Sequence, residues 1–256
     1  MLEPESGILS ARRAVQAVAR AAMKSGVEFL QGAVDMSGPG VSPVSQAQDT
    51  RPTLETVTTT QGQQISAAIF VFACGPWLPK LFPDLLGDKI HPSRQEVYYF
   101  GAPAGDVRFT SPALPTWIDF KGEAYGLPDI EGRGVKVAVD RHGEPFDPDT
   151  GDRVVTREGL AEARRCLARR LPSLQDAPVL ETRVCQYENT ANGDFLIDRH
   201  PELENVWLVG GGSGHGFKHG PTVGEYVAAR VNGNHEGIEP RFTLAAKGSE
   251  PQRMVY

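Results

Sequence analysis

The residues with most chemical promise crowd into one stretch. Val206-Trp207-Leu208-Val209 runs into Gly210-Gly211-Gly212-Ser213-Gly214-His215-Gly216-Phe217-Lys218, then Pro221-Thr222. Val, Trp and Leu in succession favour a pleated, covered surface, so the first four are expected as a buried strand. The glycines let the backbone take positive φ or lie close against another molecule. Pro221 and Thr222 open an expected helix to Arg230, ended by Asn232-Gly233. A strand, a glycine turn and a helix start together present backbone N–H groups to a ligand with anionic or polar oxygens. Lys218 adds a cation suited to a carboxylate. His215 is either a polar group facing that ligand or an imidazole that braces the loop. The competing reading is a ligand-free loop with Lys218 as a solvated lysine, although such loops are usually shorter.

The 256 residues suffice for one large domain or two modest ones. Hydrophobic residues make up 40% and charged residues 23%, an ordinary globular balance. A net charge of −6 argues against nucleic-acid or anionic-membrane partners. No apolar run reaches the length of a membrane span. The acidic start, Met1-Leu2-Glu3-Pro4-Glu5, lacks the apolar core of a signal peptide. Cys74, Cys166 and Cys185 are odd in number and far apart. That pattern suggests neither a disulfide framework nor a metal site, and points to the reducing cytoplasm.

Elements must position the glycine turn, and their order is informative. Ser10 is placed to cap a helix from Ala11 to about Ser25, with Val15, Val18, Ala19 and Ala22 as its apolar stripe. Val27-Glu28-Phe29-Leu30 reads as a strand, residues 35–52 as a surface loop, and Thr53 to Ile65 as a hairpin turning at Gln61-Gly62. Ala67 to Ala73 is a continuous apolar run, the pattern of a strand covered on both faces, and it ends at Cys74-Gly75-Pro76-Trp77. From Ile90 to Val139, β-rich runs such as Gln95–Phe100 and Gly134–Val139 suggest an antiparallel sheet. A helix is expected over Thr156–Leu171, with Thr156 as cap, Leu160, Ala163, Leu167 and Leu171 inward and Pro172 as stop. Strands at Arg183–Tyr187 and Asp194–Asp198 follow, and the tail after Asn232 reads as polar and loosely held. The expected fold is α/β (α+β) in class. A three-layer FAD/NAD(P)-binding-type domain, residues 1–80 and 185–256, is interrupted by an antiparallel substrate domain, residues 81–184.

Five segments in register resemble one family. They are Ser6-Gly7-Ile8-Leu9, Ala73-Cys74-Gly75-Pro76-Trp77, and Tyr125-Gly126 eleven residues before Lys136 and followed by Phe146-Asp147-Pro148. The other two are Val184-Cys185-Gln186-Tyr187 with Phe195–Pro201, and Gly212–Lys218 with Gly224-Glu225. Together they look like the FAD-dependent amine oxidases of the D-amino-acid oxidase superfamily, nearest in resemblance to the monomeric sarcosine oxidase branch. One departure is large: no window has the Gly-x-Gly-x-x-Gly spacing that holds the FAD pyrophosphate in that family. The chain therefore looks like the C-terminal part of a longer enzyme, its FAD-binding domain incomplete at the N-terminus.

The resemblance implies FAD as cofactor, contacted by Val34, Ala73, Gly75, Trp77, Gly212, Ser213, Gly214, His215, Gly216, Phe217 and Lys218. It implies that Cys185 can carry a thioether to the flavin, a small buried hydrophobe being the alternative. Lys136 matches the lysine set beside the flavin where oxygen accepts electrons; otherwise it is a lysine on an edge strand. Lys218 matches the substrate-carboxylate lysine, while Tyr125 and Tyr187 either line the pocket or are core aromatics. Asp140 stands where sarcosine-oxidizing members carry a histidine, which implies a different substrate preference or base chemistry, and His142 is close in sequence.

Two classes of function follow. One is a flavin enzyme that oxidizes the C–N bond of secondary amines or amino acids, giving an imine and passing electrons to oxygen. The other is a non-catalytic remnant, or half of a split flavoenzyme that self-associates or needs a partner supplying the missing unit. A plain binding module for an acidic small molecule is a third. The chain expressed alone is expected to be colourless and poorly soluble or oligomeric, with flavin absorbance appearing once the missing segment is supplied. A yellow, monomeric, amine-oxidizing product from these residues alone would overturn that expectation.

Overall fold

The computed structural model describes residues 3–35, 41–44 (backbone only), 51–234 and 239–249. The chain divides into two compact units. A split unit combines Ser10–His91 with Glu188–Arg253, and a central unit is built on Pro92–Tyr187 with the short piece up to Leu9.

The split unit begins with α1 (Ala11–Lys24). Alanines and straight-chain residues favour this helix, but Ser10 makes no side-chain cap; its carbonyl only accepts the Ala14 N–H at 2.9 Å. The expected inward stripe is not inward. Val15 and Val18 are 57% and 68% exposed, and no residue of α1 is buried. Residues 27–30 do not form the expected strand either; Val27, Phe29 and Leu30 are exposed. A strand exists only by pairing, and none of the described residues offers these an edge. Next come β1 (Val41–Val44), β2 (Thr53–Thr58) and β3 (Gln64–Ser66), an antiparallel sheet in that order. The β2–β3 connection turns at Gln61-Gly62 as expected, Gly62 taking φ +79°. Most of the expected 35–52 loop lies outside the described residues.

Strand β4 is only Phe70–Phe72, shorter than the apolar run suggested. It is also an edge: Phe70 and Phe72 are buried while Ile69 and Val71 are 41% and 45% exposed, so one face is covered rather than two. A 3-10 turn at Gly75–Trp77 leads to α2 (Leu78–Leu81) and α3 (Pro83–Leu86), each opened by a proline near its start.

The central unit holds β5 (Ile90–Phe100), β6 (Trp117–Asp119), β7 (Ala124–Leu127), β8 (Val135–Val139), α4 (Arg157–Arg170) and β9 (Val179–Thr190). The strands lie in the order β6-β7-β8-β5-β9, with β6/β7, β7/β8 and β8/β5 antiparallel. Strands β5 and β9 continue past the unit boundaries at His91 and Glu188. Thr156 caps α4 as read from the sequence, its Oγ1 accepting the Gly159 N–H at 3.0 Å. Ala163 and Leu167 point inward onto Tyr98, Phe100, Val135 and Val137, with Leu160 and Leu171 packed beside them. The far end of α4 is pinned by Asp119, which receives Arg169 at 2.7 Å and also pairs with Arg170.

The chain returns to the split unit with β10 (Leu196–Arg199), β11 (Val206–Gly210) and α5 (Gly220–Val231). Their sheet has the order β10-β11-β4, with β11 antiparallel to β10 and parallel to β4. Val206, Trp207 and Leu208 are buried, and the core gathers Leu54, Phe72, Leu78, Ile90, Leu196 and Leu208. The tail is not loosely held over 239–249. Two 3-10 turns, Pro240–Phe242 and Leu244–Ala246, bring the Leu244 N–H to Asp198 at 2.8 Å and bury Lys247. Its ammonium bonds the carbonyl of Arg241 at 2.6 Å, Asn192 at 3.2 Å and the carbonyl of Asp194 at 3.3 Å. Burial pushes its pKa down to about 8.

The contrast between the two helices is measurable. Leu167→Ala, at a site with 0% exposure, is expected to cost about 3 kcal/mol by denaturant unfolding. Val18→Ala on α1 is expected to cost under about 0.5 kcal/mol.

Candidate functional site

Two groups of residues carry the chemistry, one in each unit. In the split unit the chain leaves β11 through the glycine turn, where Gly211, Ser213 and Gly214 all take positive φ. Ser213 at φ +44° is a side-chain residue in a glycine-like conformation, and it is 1% exposed. Its hydroxyl accepts the Thr190 N–H at 3.2 Å and donates to the Gly211 carbonyl at 3.2 Å, while its own N–H reaches the Glu188 carbonyl at 3.2 Å. These bonds tie the turn to the end of β9 and offset the strain.

Under the turn lies Glu188. Its Oε1 accepts the Gly212 N–H at 3.2 Å, and its Oε2 is buried without a hydrogen-bond partner. A Cβ at Gly210 would stand 2.4 Å from Leu78 Cδ1 and 3.0 Å from this Oε2, so a side chain there would have to displace Leu78. Burial raises the Glu188 pKa, partly opposed by the Gly212 and Gly211 N–H groups. Burial likewise raises the Cys74 thiol, with the Glu188 charge adding to it. Sequence reasoning missed Glu188. The one available signal was a carboxylate inside a strand directly after Tyr187.

Beyond the turn, Gly216–His219 forms a 3-10 segment that runs into α5. Phe217 and Lys218 are exposed. The His215 imidazole lies 2.8 Å from the Gly193 carbonyl and edge-on to Phe195, so it braces the loop. Among the other expected cofactor contacts in this unit, Val34 bridges to Thr59 and packs on the core. Ala73 is exposed, Gly75 takes φ +55° and Trp77 is half-buried.

In the central unit, Lys136 on β8 lies across from Leu127 of β7 and Tyr99 of β5. Its ammonium bonds Tyr125 Oη at 3.1 Å and stands over the Tyr125 ring at 4.8 Å. Tyr187 Oη donates to Asp140 Oδ1 at 3.1 Å. Burial lowers the Lys136 pKa, against the opposing pull of Cys185 and Asp140. Burial also raises both phenols, with Asp140 adding to each. Cys185 has an exposed thiol acting on this cluster rather than a buried one. Lys136, Tyr125, Tyr187, Cys185 and Asp140 thus gather in one unit, whereas Gly212–Lys218 belong to the other. His142, also here, has a buried and unpartnered Nε2 and a pKa lowered by burial.

In the split unit, a turn with three positive-φ residues and a buried carboxyl oxygen without a partner has the chemistry to meet the polar edge of a flavin. In the central unit, taken by itself, an exposed thiol and a half-buried ammonium are groups of the kind a flavin ring calls for. This chemistry defines a class. The chain belongs to the FAD dependent oxidoreductase family, whose model matches residues 1–230.

Particular relatives are similar to it. Over 235 residues the chain is 30% identical to the monomeric sarcosine oxidase of Bacillus sp. (strain NS-129), covering 89% of this chain and 57% of that protein. It is 29% identical over 237 residues to the N-methyl-L-tryptophan oxidase of Salmonella heidelberg, covering 89% and 58%. Among solved structures, a thermally stable fructosyl peptide oxidase mutant superposes with a TM-score of 0.73 at 22% identity, over 92% of this chain and 58% of that one. The fructosamine oxidase of Aspergillus fumigatus (Amadoriase II) gives 0.73 at 21%, over 93% and 59%. The fold is shared with these enzymes, and the chain spans a little over half the length of each of these four relatives. No helix among the described residues is long and apolar enough to cross a membrane.

Glu188 provides a pH test. A carboxyl whose folded pKa is raised favours folding below its unfolded pKa, and that contribution is lost as pH rises through the folded value. Glu188→Gln is therefore expected to raise the melting temperature by about 2 °C or more at pH 8 and to leave it nearly unchanged at pH 4. Equal shifts at both pH values would contradict a protonation effect.

Proposed function

We propose that this chain provides the flavin-ring and substrate side of an FAD-dependent oxidoreductase acting on C–N bonds of secondary amines or amino acids. The observation that carries the reading is the Lys136–Tyr125 and Tyr187–Asp140 cluster beside the exposed Cys185 thiol. The family membership and the glycine turn support it. FAD, when bound, supplies the two-electron oxidant. Gly212, Ser213, Gly214, Gly216 and Phe217 would hold it, with Val34, Ala73, Gly75 and Trp77 as further contacts and Cys185 as the point of a thioether. Lys218 is the cation for a substrate carboxylate. Tyr125 and Tyr187 orient the amine, and Lys136 stabilises negative charge developing as oxygen accepts electrons. His215, held by the Gly193 carbonyl, keeps the turn in shape. The substrate is a small molecule, and three free cysteines support a reducing, cytoplasmic setting.

A second reading is one half of a split flavoenzyme whose pyrophosphate-binding unit comes from a partner. It is favoured by the exposed apolar side chains of Val15, Val18, Val27, Phe29 and Leu30.

The test joins this chain to a Gly-x-Gly-x-x-Gly segment, loads FAD and offers N-methyl amino acids. Amine-dependent flavin bleaching is expected. Lys218→Ala should weaken a carboxylate substrate roughly ten- to hundred-fold in KM. Lys136→Met should slow reoxidation by oxygen roughly a hundredfold while leaving bleaching intact. A flavin-loaded protein inert toward every secondary amine would refute the reading.

A further inference from the structure

One loop of the split unit is held from two distant places in the chain. It joins β9 to β10, and the glycine turn lies against it. A Cβ on Gly211 would stand 2.7 Å from Thr190 Cγ2 and 3.1 Å from the Asp194 carbonyl oxygen. Two hydrogen bonds cross the same junction. The Thr190 N–H reaches Ser213 Oγ at 3.2 Å, and the His215 imidazole lies 2.8 Å from the Gly193 carbonyl. The second hold on the loop is Lys247, a lysine only 4% exposed.

Its ammonium donates to the Arg241 carbonyl at 2.6 Å, to Asn192 Oδ1 at 3.2 Å and to the Asp194 carbonyl at 3.3 Å. The loop adds two donors of its own: the Thr190 hydroxyl, 2.7 Å from the Asp194 carbonyl, and the Asp194 N–H, 3.1 Å from Asn192 Oδ1. Burial lowers the Lys247 pKa to about 8, with the Asp194 charge opposing the fall and Arg241 adding to it. The amine therefore keeps its third proton at neutral pH, and each of the three oxygens receives its own N–H. Arg241 is itself engaged with Asp194 at 3.8 Å and Glu239 at 3.2 Å.

We propose that Lys247 is a positioning residue for the glycine turn: its ammonium fixes the loop between β9 and β10, and that loop fixes Ser213 and His215. The contacts run from Lys247 to the Asp194 carbonyl and from there to the Thr190 hydroxyl. They continue from the Thr190 N–H to Ser213 Oγ, whose hydroxyl ends on the Gly211 carbonyl. All of these residues belong to the split unit. Removing the ammonium leaves three oxygens short of a charge-assisted donor around a buried position. The loop then relaxes, and the turn bonded to it relaxes with it. No proton moves in this scheme, because the ammonium serves as three fixed donors.

The significance for FAD rests on the flavin reading above, but the coupling of Lys247 to the turn does not. The first test accordingly follows hydrogen–deuterium exchange in the full chain without flavin at neutral pH. Lys247→Ala is expected to speed exchange in residues 211–216 roughly tenfold while exchange in β8 stays unchanged. Propylammonium, which replaces the lost stem and its three donors, should restore slow exchange; tetramethylammonium, a cation without N–H, should not. Lys247→Met keeps most of the stem and should loosen the turn alike, which covers the case in which the truncated variant unfolds. Arg241→Ala removes the other cation beside Asp194 but keeps the carbonyl that Lys247 binds, and should leave the turn as it was. Unchanged exchange in Lys247→Met overturns the proposal. Equal loosening by Arg241→Ala does too, since charge near Asp194 would then account for the effect, as does rescue of Lys247→Ala by both cations or by neither. The second test measures FAD affinity in the chain joined to a Gly-x-Gly-x-x-Gly segment, where Lys247→Met should weaken binding roughly tenfold. A loosened turn with unchanged FAD affinity refutes the positioning role, and a loosened turn in a protein that binds no FAD refutes only the flavin reading.

Discussion

Much of the split unit depends on how one serine is held. Ser213 sits at positive φ with its hydroxyl between the Thr190 N–H and the Gly211 carbonyl. Without those two hydrogen bonds, the turn that leaves β11 would have no reason to adopt a conformation unfavourable for a residue with a Cβ. The same contacts fasten the end of β9 to the loop after β11, so the register of one strand fixes the direction in which the glycine N–H groups point. Glu188 is caught in this arrangement. Its backbone carbonyl belongs to the fastening, and its carboxyl is pressed under Gly210 and Gly212.

The sequence made some elements legible because their causes are local. Helix α4 announces itself through Thr156, a run of inward Leu and Ala, and Pro172; its cap and its buried face are both where the spacing puts them. The β2–β3 hairpin follows from Gln61-Gly62 and alternating Thr and Val in the same way. Where the cause lies elsewhere in the chain, the pattern misleads. Val27–Leu30 has strand composition but no edge to join, and Ala67–Ala73 is apolar on both faces although β4 has β11 on one side only. The stripe on α1 is a sound amphipathic pattern with nothing against it among the described residues. The tail reads as polar because its one anchoring group, Lys247, is a charge that burial hides from any hydropathy argument.

The candidate site was legible in its parts more than in its wiring. Glycine spacing pointed to the turn, and resemblance supplied Lys136, Tyr125, Tyr187 and Cys185. That Tyr187 would reach Asp140, forty-seven residues away, depends on the pairing of β7, β8, β5 and β9, which periodicity does not encode. Strand alternation removes the buried alternative for Cys185: Val184 is buried and Cys185 faces out. Family resemblance thus finds side chains, while register decides which of them hydrogen-bond to one another.

The buried Lys247 has a consequence for where this protein can be cut. The family model ends at residue 230, yet Lys247 carries hydrogen bonds to Asn192 and Asp194 in the loop that precedes β10, and Leu244 bonds Asp198 within it. A segment beyond the shared pattern therefore serves as a clasp on the shared sheet. Trimming the chain to its recognisable span would leave the Asp198 carboxylate and the Asp194 carbonyl without these donors, so the evolutionary boundary and the mechanical boundary of the unit are different places.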